Sequence, residues 1–223
     1  MELDTDYSGN YKKNPKIIKL TYDESNHYFN NKDKSKQFLL TDIGKYSISK
    51  PQLADWIILK IIDCLKLSRD DIKNKMTITD ATAGVGGDLF TFAKYFKKVN
   101  GIEQNLVHFN VLNHNLKQLE YDNVTLYNEN YYDVFNKIDN NIVFIDPPWG
   151  GNNSKKYKYL NLYLDGKNIS MIINNLYKIN IEHLFLKIPY NFNFSLLLQS
   201  VLYNNISIHR YKSIYLIYLY KNI

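Results

Sequence analysis

The chain has 223 residues, of which 45% are hydrophobic and 22% charged, with a formal net charge of +6. That is one soluble globular domain with a sizeable core, too short for two ordinary ones. No apolar run reaches the roughly 20 residues a bilayer requires. Residues 1–10 are polar and acidic, which excludes a secretory signal or transit peptide there. The lone Cys64 excludes an internal disulfide or a cysteine-ligated metal site. A soluble, intracellular protein in a reducing compartment is expected, and its positive charge favours a polyanionic partner such as nucleic acid.

Residues 1–36 are polar, with Lys, Asn and Asp clusters, and read as a partly ordered arm ahead of a domain over 37–223. Leu53, Ala54, Ile57, Ile58, Ile61, Ile62 and Leu65 recur at helical spacing and predict a helix over 51–67, with Ser49 and Pro51 as start signals. Strands and helices then alternate: strand 77–80, helix 89–95, strand 98–103, helix 106–119, strand 124–127, helix 132–138, strand 141–146, helix 169–177, strand 183–188 and helix 194–203. Two strands, 206–211 and 213–220, close the chain around a tight turn. The pattern predicts a doubly wound α/β fold with a mostly parallel, seven-stranded sheet and an antiparallel edge.

The strand 77–80 runs into Asp80-Ala81-Thr82-Ala83-Gly84-Val85-Gly86-Gly87-Asp88, which opens a helix. In such a sheet, ligands bind beyond the carboxyl ends of the strands. Glycine there takes positive φ and lets backbone approach a ligand. Asp80 can accept a hydrogen bond from an ammonium group, and Glu103, ending the next strand, suits a ribose diol. The turn is neither a dinucleotide fingerprint nor a phosphate loop. Asp88 at a helix start competes with phosphate for the same amides. A phosphate-free cation, S-adenosylmethionine, suits the turn better.

Asp146-Pro147-Pro148-Trp149-Gly150-Gly151 follows the strand 141–146. Neither proline carries an amide hydrogen, so their carbonyls and the Asp146 carboxylate make a cluster of acceptors without donors. Such a cluster suits an exocyclic amine, whose two hydrogens point at the acceptors and whose lone pair turns towards a methyl donor. Positioning and electrostatics then carry most of the rate. Trp149 offers a face for base stacking, with extra attraction for a cationic 7-methylguanine, and Gly150 and Gly151 leave room for the ring.

On these two motifs the chain resembles the RNA cap guanine-N2 methyltransferases, the trimethylguanosine synthases, over about residues 40–200. The segment Gly44-Lys-Tyr-Ser-Ile-Ser-Lys-Pro51 is similar to a further family segment. The resemblance implies a Rossmann-like class I S-adenosylmethionine-dependent methyltransferase fold. It implies transfer of methyl to N2 of the 7-methylguanosine cap of RNA, once or twice. It places Ser49, Asp80, Ala81, Gly84, Gly86 and Asp146 at the cofactor, Glu103 at its ribose and Asn130 with Tyr131 at its adenine. Asp146, Pro147 and Trp149 are the expected catalytic residues, with Trp149, Gly150, Lys187 and Asn191 on the substrate side. Lys187 is expected to replace a phosphate-contacting Arg, since Pro189-Tyr190-Asn191 stands where the family has P-R-N. Tyr28 and Phe29, with Lys32, are candidates to close over substrate or cofactor.

His27, His108, His114, His183 and His209 show no metal-ligand grouping and are expected to be structural. No metal, no membrane and a monomer are expected. Two other readings stand beside the cap enzyme. One is a methyltransferase for adenine N6 or an internal guanine N2 of DNA, tRNA or rRNA, favoured by an Asp where cap enzymes usually have Ser. The other is a non-catalytic RNA-binding domain that kept the fold.

Overall fold

The computed structural model describes residues 14–221. Its central sheet runs in the order β10-β11-β9-β6-β3-β4-β5, with the ranges given below. Contacts divide the described residues into two compact units, 14–131 and 132–221.

The first unit begins with β1 (Ile17–Lys19), α1 (Tyr22–Phe29) and β2 (Leu39–Thr41). Thr21 and Glu24 form a reciprocal capping box at the start of α1, and Asn30 ends it in the left-handed region. β1 pairs antiparallel with β2, and Phe29 stacks on Phe38 at 5.2 Å. Leu20, Phe38, Leu40, Val85 and Val111 form a buried cluster on which Tyr28 and Phe29 pack. Residues 14–36 of the expected arm are therefore built into the unit; residues 1–13 lie outside the described residues.

There follow α2 (Gly44–Ser47), α3 (Pro51–Leu65), α4 (Arg69–Lys75), β3 (Thr77–Asp80), α5 (Leu89–Tyr95), β4 (Lys98–Ile102), α6 (Leu106–Leu119) and β5 (Val124–Tyr127). Pro51 occupies the first helical turn of α3, where a missing amide hydrogen removes nothing. Ser49 makes no cap there, and α3 stops at Lys66, which adopts left-handed backbone. Ile57, Ile58 and Ile61 form the fully buried stripe the periodicity predicts. β3, β4 and β5 pair in parallel, and Thr77–Asp80 is buried throughout, as a parallel strand between helix layers must be.

The second unit takes over within α7 (Tyr131–Val134), which is shorter than the helix expected over 132–138. It continues with β6 (Ile142–Ile145), a 3₁₀ turn over Gly151–Lys156, β7 (Tyr163–Leu164), β8 (Lys167–Asn168), α8 (Ile169–Lys178), β9 (His183–Pro189), α9 (Phe194–Ser200), β10 (Asn205–Tyr211) and β11 (Ile214–Tyr220). β6 pairs in parallel with β9, whereas β11 runs antiparallel to both β9 and β10, giving the expected antiparallel edge. α9 ends at Ser200, before the expected 203. The Asn174 side chain donates to the Ser200 carbonyl at 2.7 Å and accepts from the Leu202 N–H at 2.8 Å, diverting backbone groups from the helix. β7 and β8 form a small hairpin around Asp165-Gly166, both at positive φ (55° and 72°). No strand was expected here, although an Asp-Gly pair is a hairpin signal. Among the described residues no helix is long and apolar enough to cross a membrane.

Candidate active site

In the first unit the site grows from the ends of β3 and β4. Asp80 is buried at the end of β3, and its carboxylate accepts the Thr82 N–H at 3.1 Å, fixing the side chain at the mouth of the strand. Ala81 beside it is also buried. Gly84 and Gly86 take φ of +54° and +103°. A Cβ at Gly86 would lie 2.3 Å from the Phe90 ring, so only glycine lets the turn pass this close to α5.

Glu103 follows β4, and backbone amides orient its two oxygens. One accepts the Gly84 N–H at 2.9 Å and the other the Asn105 N–H at 2.7 Å. The carboxylate thereby ties the glycine turn to the end of β4 and takes up an amide that a phosphate loop would direct at its ligand. His108 Nδ1 lies 3.9 Å from Glu103, while its buried Nε2 has no hydrogen-bond partner. Burial holds the His108 imidazole below its usual pKa, opposed by the nearby Asp42 charge. Spacing alone had given no reason to single out His108; its approach to Glu103 comes from the first turn of α6, capped by Asn105.

Ser49 reaches the same turn by packing. A Cβ on Gly87 would lie 2.7 Å from the Ser49 carbonyl oxygen, so the segment 44–51 rests directly on the glycine turn. The buried Ser49 hydroxyl donates to the Asp88 carboxylate at 2.6 Å. Asp88 makes no side-chain cap on α5, and this bond locks segment and turn together. Asn130 lies just beyond β5 and Tyr131 is buried at the start of α7.

Tyr28 and Phe29 pack on the buried cluster that includes Val85 of the glycine turn. They line a shallow cleft together with Gly87 of that turn, Pro51, Asp55, Phe90 and Tyr121. Lys50 sits over the Tyr28 ring at 5.9 Å.

In the second unit Asp146 leaves the end of β6 and Pro147 is buried behind it. Gly150 and Gly151 take φ of +87° and +61°, the backbone turn that carries the chain past Trp149. The Asp146 carboxylate meets the ammonium of Lys187 on β9 at 2.5 Å, and the Lys187 side chain is 3% exposed. The same ammonium stands 5.4 Å from the centroid of the Trp149 ring. The indole Nε1 is buried without a hydrogen-bond partner.

Two expectations are corrected here. The cluster at Asp146 is not free of donors, because Lys187 donates into it. Lys187, buried in that pair, is also not placed as a surface phosphate contact. Asn191 is likewise committed within the protein: its amide donates to the carbonyls of Ser154 and Tyr157, both at 2.8 Å, bracing the turn after Trp149. Among the described residues no group of three or more His, Cys, Asp or Glu side chains is assembled as a metal site.

Comparison with known proteins adds independent findings. The profile of a family described as RNA cap guanine-N2 methyltransferase matches residues 75–220. An uncharacterized protein of Acanthamoeba polyphaga mimivirus is 40% identical over 131 residues, 57% of this chain and 51% of that protein. The chain thus spans about half the length of the curated relative it matches. Among solved structures, the T. thermophilus 16S rRNA guanine-N2 methyltransferase, in complex with AdoMet and guanosine, superposes with a TM-score of 0.61 at 13% identity, covering 96% of this chain and 52% of that one. Precorrin-6y C5,15-methyltransferase from Geobacter metallireducens superposes with a TM-score of 0.57 at 16% identity, covering 79% and 92%. At such identities these structures speak for the fold, the class I methyltransferase fold.

Proposed function

The chain belongs to the RNA cap guanine-N2 methyltransferase family, and on that premise we propose that it transfers methyl from S-adenosylmethionine to the exocyclic N2 amine of the 7-methylguanosine cap of RNA. The observation that carries this reading is the Asp146-Pro147-Pro148-Trp149 turn at the end of β6, with its carboxylate held by a buried lysine.

The first unit's residues fit the cofactor. A Cβ at Gly84 would meet nothing nearer than 3.9 Å, so the turn leaves open space against its backbone there. Asp80 and Glu103 put two carboxylates beside it, which suits a ligand with an ammonium, a sulfonium and a ribose diol. In this reading Asp80 and Ala81 border the amino-acid end, Glu103 accepts from the ribose hydroxyls, and Asn130 with Tyr131 borders the adenine. Ser49 acts through Asp88, keeping the glycine turn in shape. Bound S-adenosylmethionine supplies a methyl group on a positively charged sulfur that departs as a neutral thioether.

The remaining work falls to the second unit. An ion-paired carboxylate is an acceptor only. Asp146, held by Lys187, and the Pro147 carbonyl accept the two N–H bonds of the amine and turn its lone pair out of conjugation with the ring, ready for a methyl donor. The new N–C bond forms as the C–S bond breaks, and the extra proton on nitrogen passes to solvent. Because Lys187 already compensates the Asp146 charge, Asp146 orients the amine rather than driving deprotonation. Trp149 stacks on the base, with Gly150 beside it.

A second reading has one observation in its favour. The Lys187 ammonium over the Trp149 ring lessens that ring's pull on a cationic base. A neutral acceptor, an internal guanine N2 or an adenine N6, is favoured to that extent. One experiment separates the readings: labelled methyl transfer to 7-methyl-GTP, GTP and ATP analogues, with mass analysis of the products. Methylated 7-methyl-GTP supports the cap reading; transfer to GTP or ATP alone overturns it. A chain that does not bind S-adenosylmethionine would instead be a non-catalytic relative.

A further inference from the structure

Directly after the tryptophan turn, the chain reads Ser154-Lys155-Lys156-Tyr157-Lys158-Tyr159, within a stretch, 147–164, that has no acidic residue. Lys155, Lys156, Lys158 and Tyr159 are exposed. A run of exposed lysines is ordinarily a solvated surface, but two features set this one apart. First, the loop is held rigidly from beneath. The Ser154 hydroxyl donates to the Gly151 carbonyl at 2.7 Å, and the buried Asn191 amide donates to the carbonyls of Ser154 and Tyr157. Buried Leu160 closes it, its N–H donating to the Asn191 carbonyl at 2.8 Å and its carbonyl accepting the Asn193 N–H at 3.0 Å. Second, Lys158 stands 5.5 Å from the centroid of the Tyr159 ring, and that tyrosine is 53% exposed. A cation and a half-exposed aromatic ring presented together on a braced loop suit an unpaired, phosphate-linked base.

Lys187, the cation expected at phosphate, is instead buried against Asp146. The loop that leads away from Trp149 carries three exposed lysines in the same unit. We propose that residues 154–159 dock the single-stranded RNA chain whose base is methylated, with Lys155, Lys156 and Lys158 meeting its phosphates and Tyr159 stacking on an unpaired base. The proposal rests on the nucleic-acid acceptor reading given above.

The test uses the full chain and a short fluorescent single-stranded RNA bearing a 7-methylguanosine cap, with binding read by anisotropy across a salt series. A triple variant, K155Q/K156Q/K158Q, is expected to flatten the dependence of log K on log salt by about 2, because each lost single-strand phosphate contact accounts for about 0.7. The matching triple Lys→Arg variant keeps the slope. Tyr159→Ala weakens binding about fivefold or more. Methyl transfer to 7-methylguanosine nucleoside, which has no phosphate, stays within about twofold of the parent, as expected if only phosphate contacts have gone. An unchanged salt slope and RNA affinity in the triple glutamine variant overturns the proposal. The two readings fail separately. RNA binding that depends on the loop in a protein that methylates no guanine upholds the dock and removes the acceptor. Methylation of guanine with loop-independent RNA binding does the reverse.

Discussion

The ammonium of Lys187 lies 2.5 Å from the carboxylate of Asp146, joining the middle of β9 to the end of β6 at the point where the Trp149 turn begins. These strands pair in parallel, and the last register pair, Ile145 with Leu186, sets the two following residues side by side. An ion pair this enclosed is poor evidence of net stability, but breaking it from one side is costly.

Lys187→Leu is therefore expected to destabilise the protein by about 3 kcal/mol, leaving a largely enclosed carboxylate without its cation. Asp146→Asn/Lys187→Leu should recover most of that loss while methyl transfer stays low. A urea-unfolding double-mutant cycle measures the coupling; additive single effects would show that the two residues do not act as a pair.

Trp149→Ala removes the stacking face. Base–aromatic stacking is worth about 1–3 kcal/mol, so KM for the guanine acceptor should rise roughly 5- to 150-fold. Affinity for S-adenosylmethionine, measured calorimetrically, should not change. An unaltered acceptor KM would remove the indole from substrate binding.

Glu103→Gln places an amide NH₂ against one of two backbone N–H donors, because Gly84 and Asn105 address different oxygens. S-adenosylmethionine affinity is expected to fall about tenfold or more, as one charge-assisted hydrogen bond is lost and another set against a donor. Titration calorimetry with the cofactor decides it, and parent-like affinity would exclude Glu103 from the ribose site.

The two glycines of the turn should respond differently to alanine. At Gly84 the added methyl meets nothing nearer than the Thr82 carbonyl at 3.9 Å, so only its positive φ is strained, by about 1–2 kcal/mol. At Gly86 the same φ penalty is joined by a clash 2.3 Å from Phe90, adding about 1–3 kcal/mol. Chemical unfolding of both variants should rank Gly86→Ala as clearly the less stable; equal losses would argue against the close approach of the turn to α5.

Burial lowers the pKa values of His108 and His183 from 6.5, so the folded state holds these protons less well than the unfolded chain. Between the folded and unfolded values the unfolded chain binds more protons, and stability rises with pH through that window. Unfolding free energy should be level above about pH 7.5 and decline as pH drops below about 6.5. Substituting both histidines with Gln should flatten that part of the decline; an unchanged profile would assign it to other groups.

Much of this protein was legible in its amino-acid order, because the signals were local. An apolar run as short as Ile142–Ile145, set between helical segments, fits a strand covered on both faces, and glycines before a helix mark a turn of positive φ. The Asp146-Pro147-Pro148-Trp149 run and the glycine turn sufficed to name the family to which the profile match assigns the chain. What stayed hidden depended on residues far apart in the chain. Lys187 reaches Asp146 through strand pairing across 41 positions, and Ser49 reaches Asp88 across 39. No periodicity encodes such meetings, since they follow from which strands become neighbours. Asn191 shows the same limit: its position beside Pro189 suggested substrate, but folding set its amide beneath the 151–157 turn, where buried carbonyls had to be satisfied.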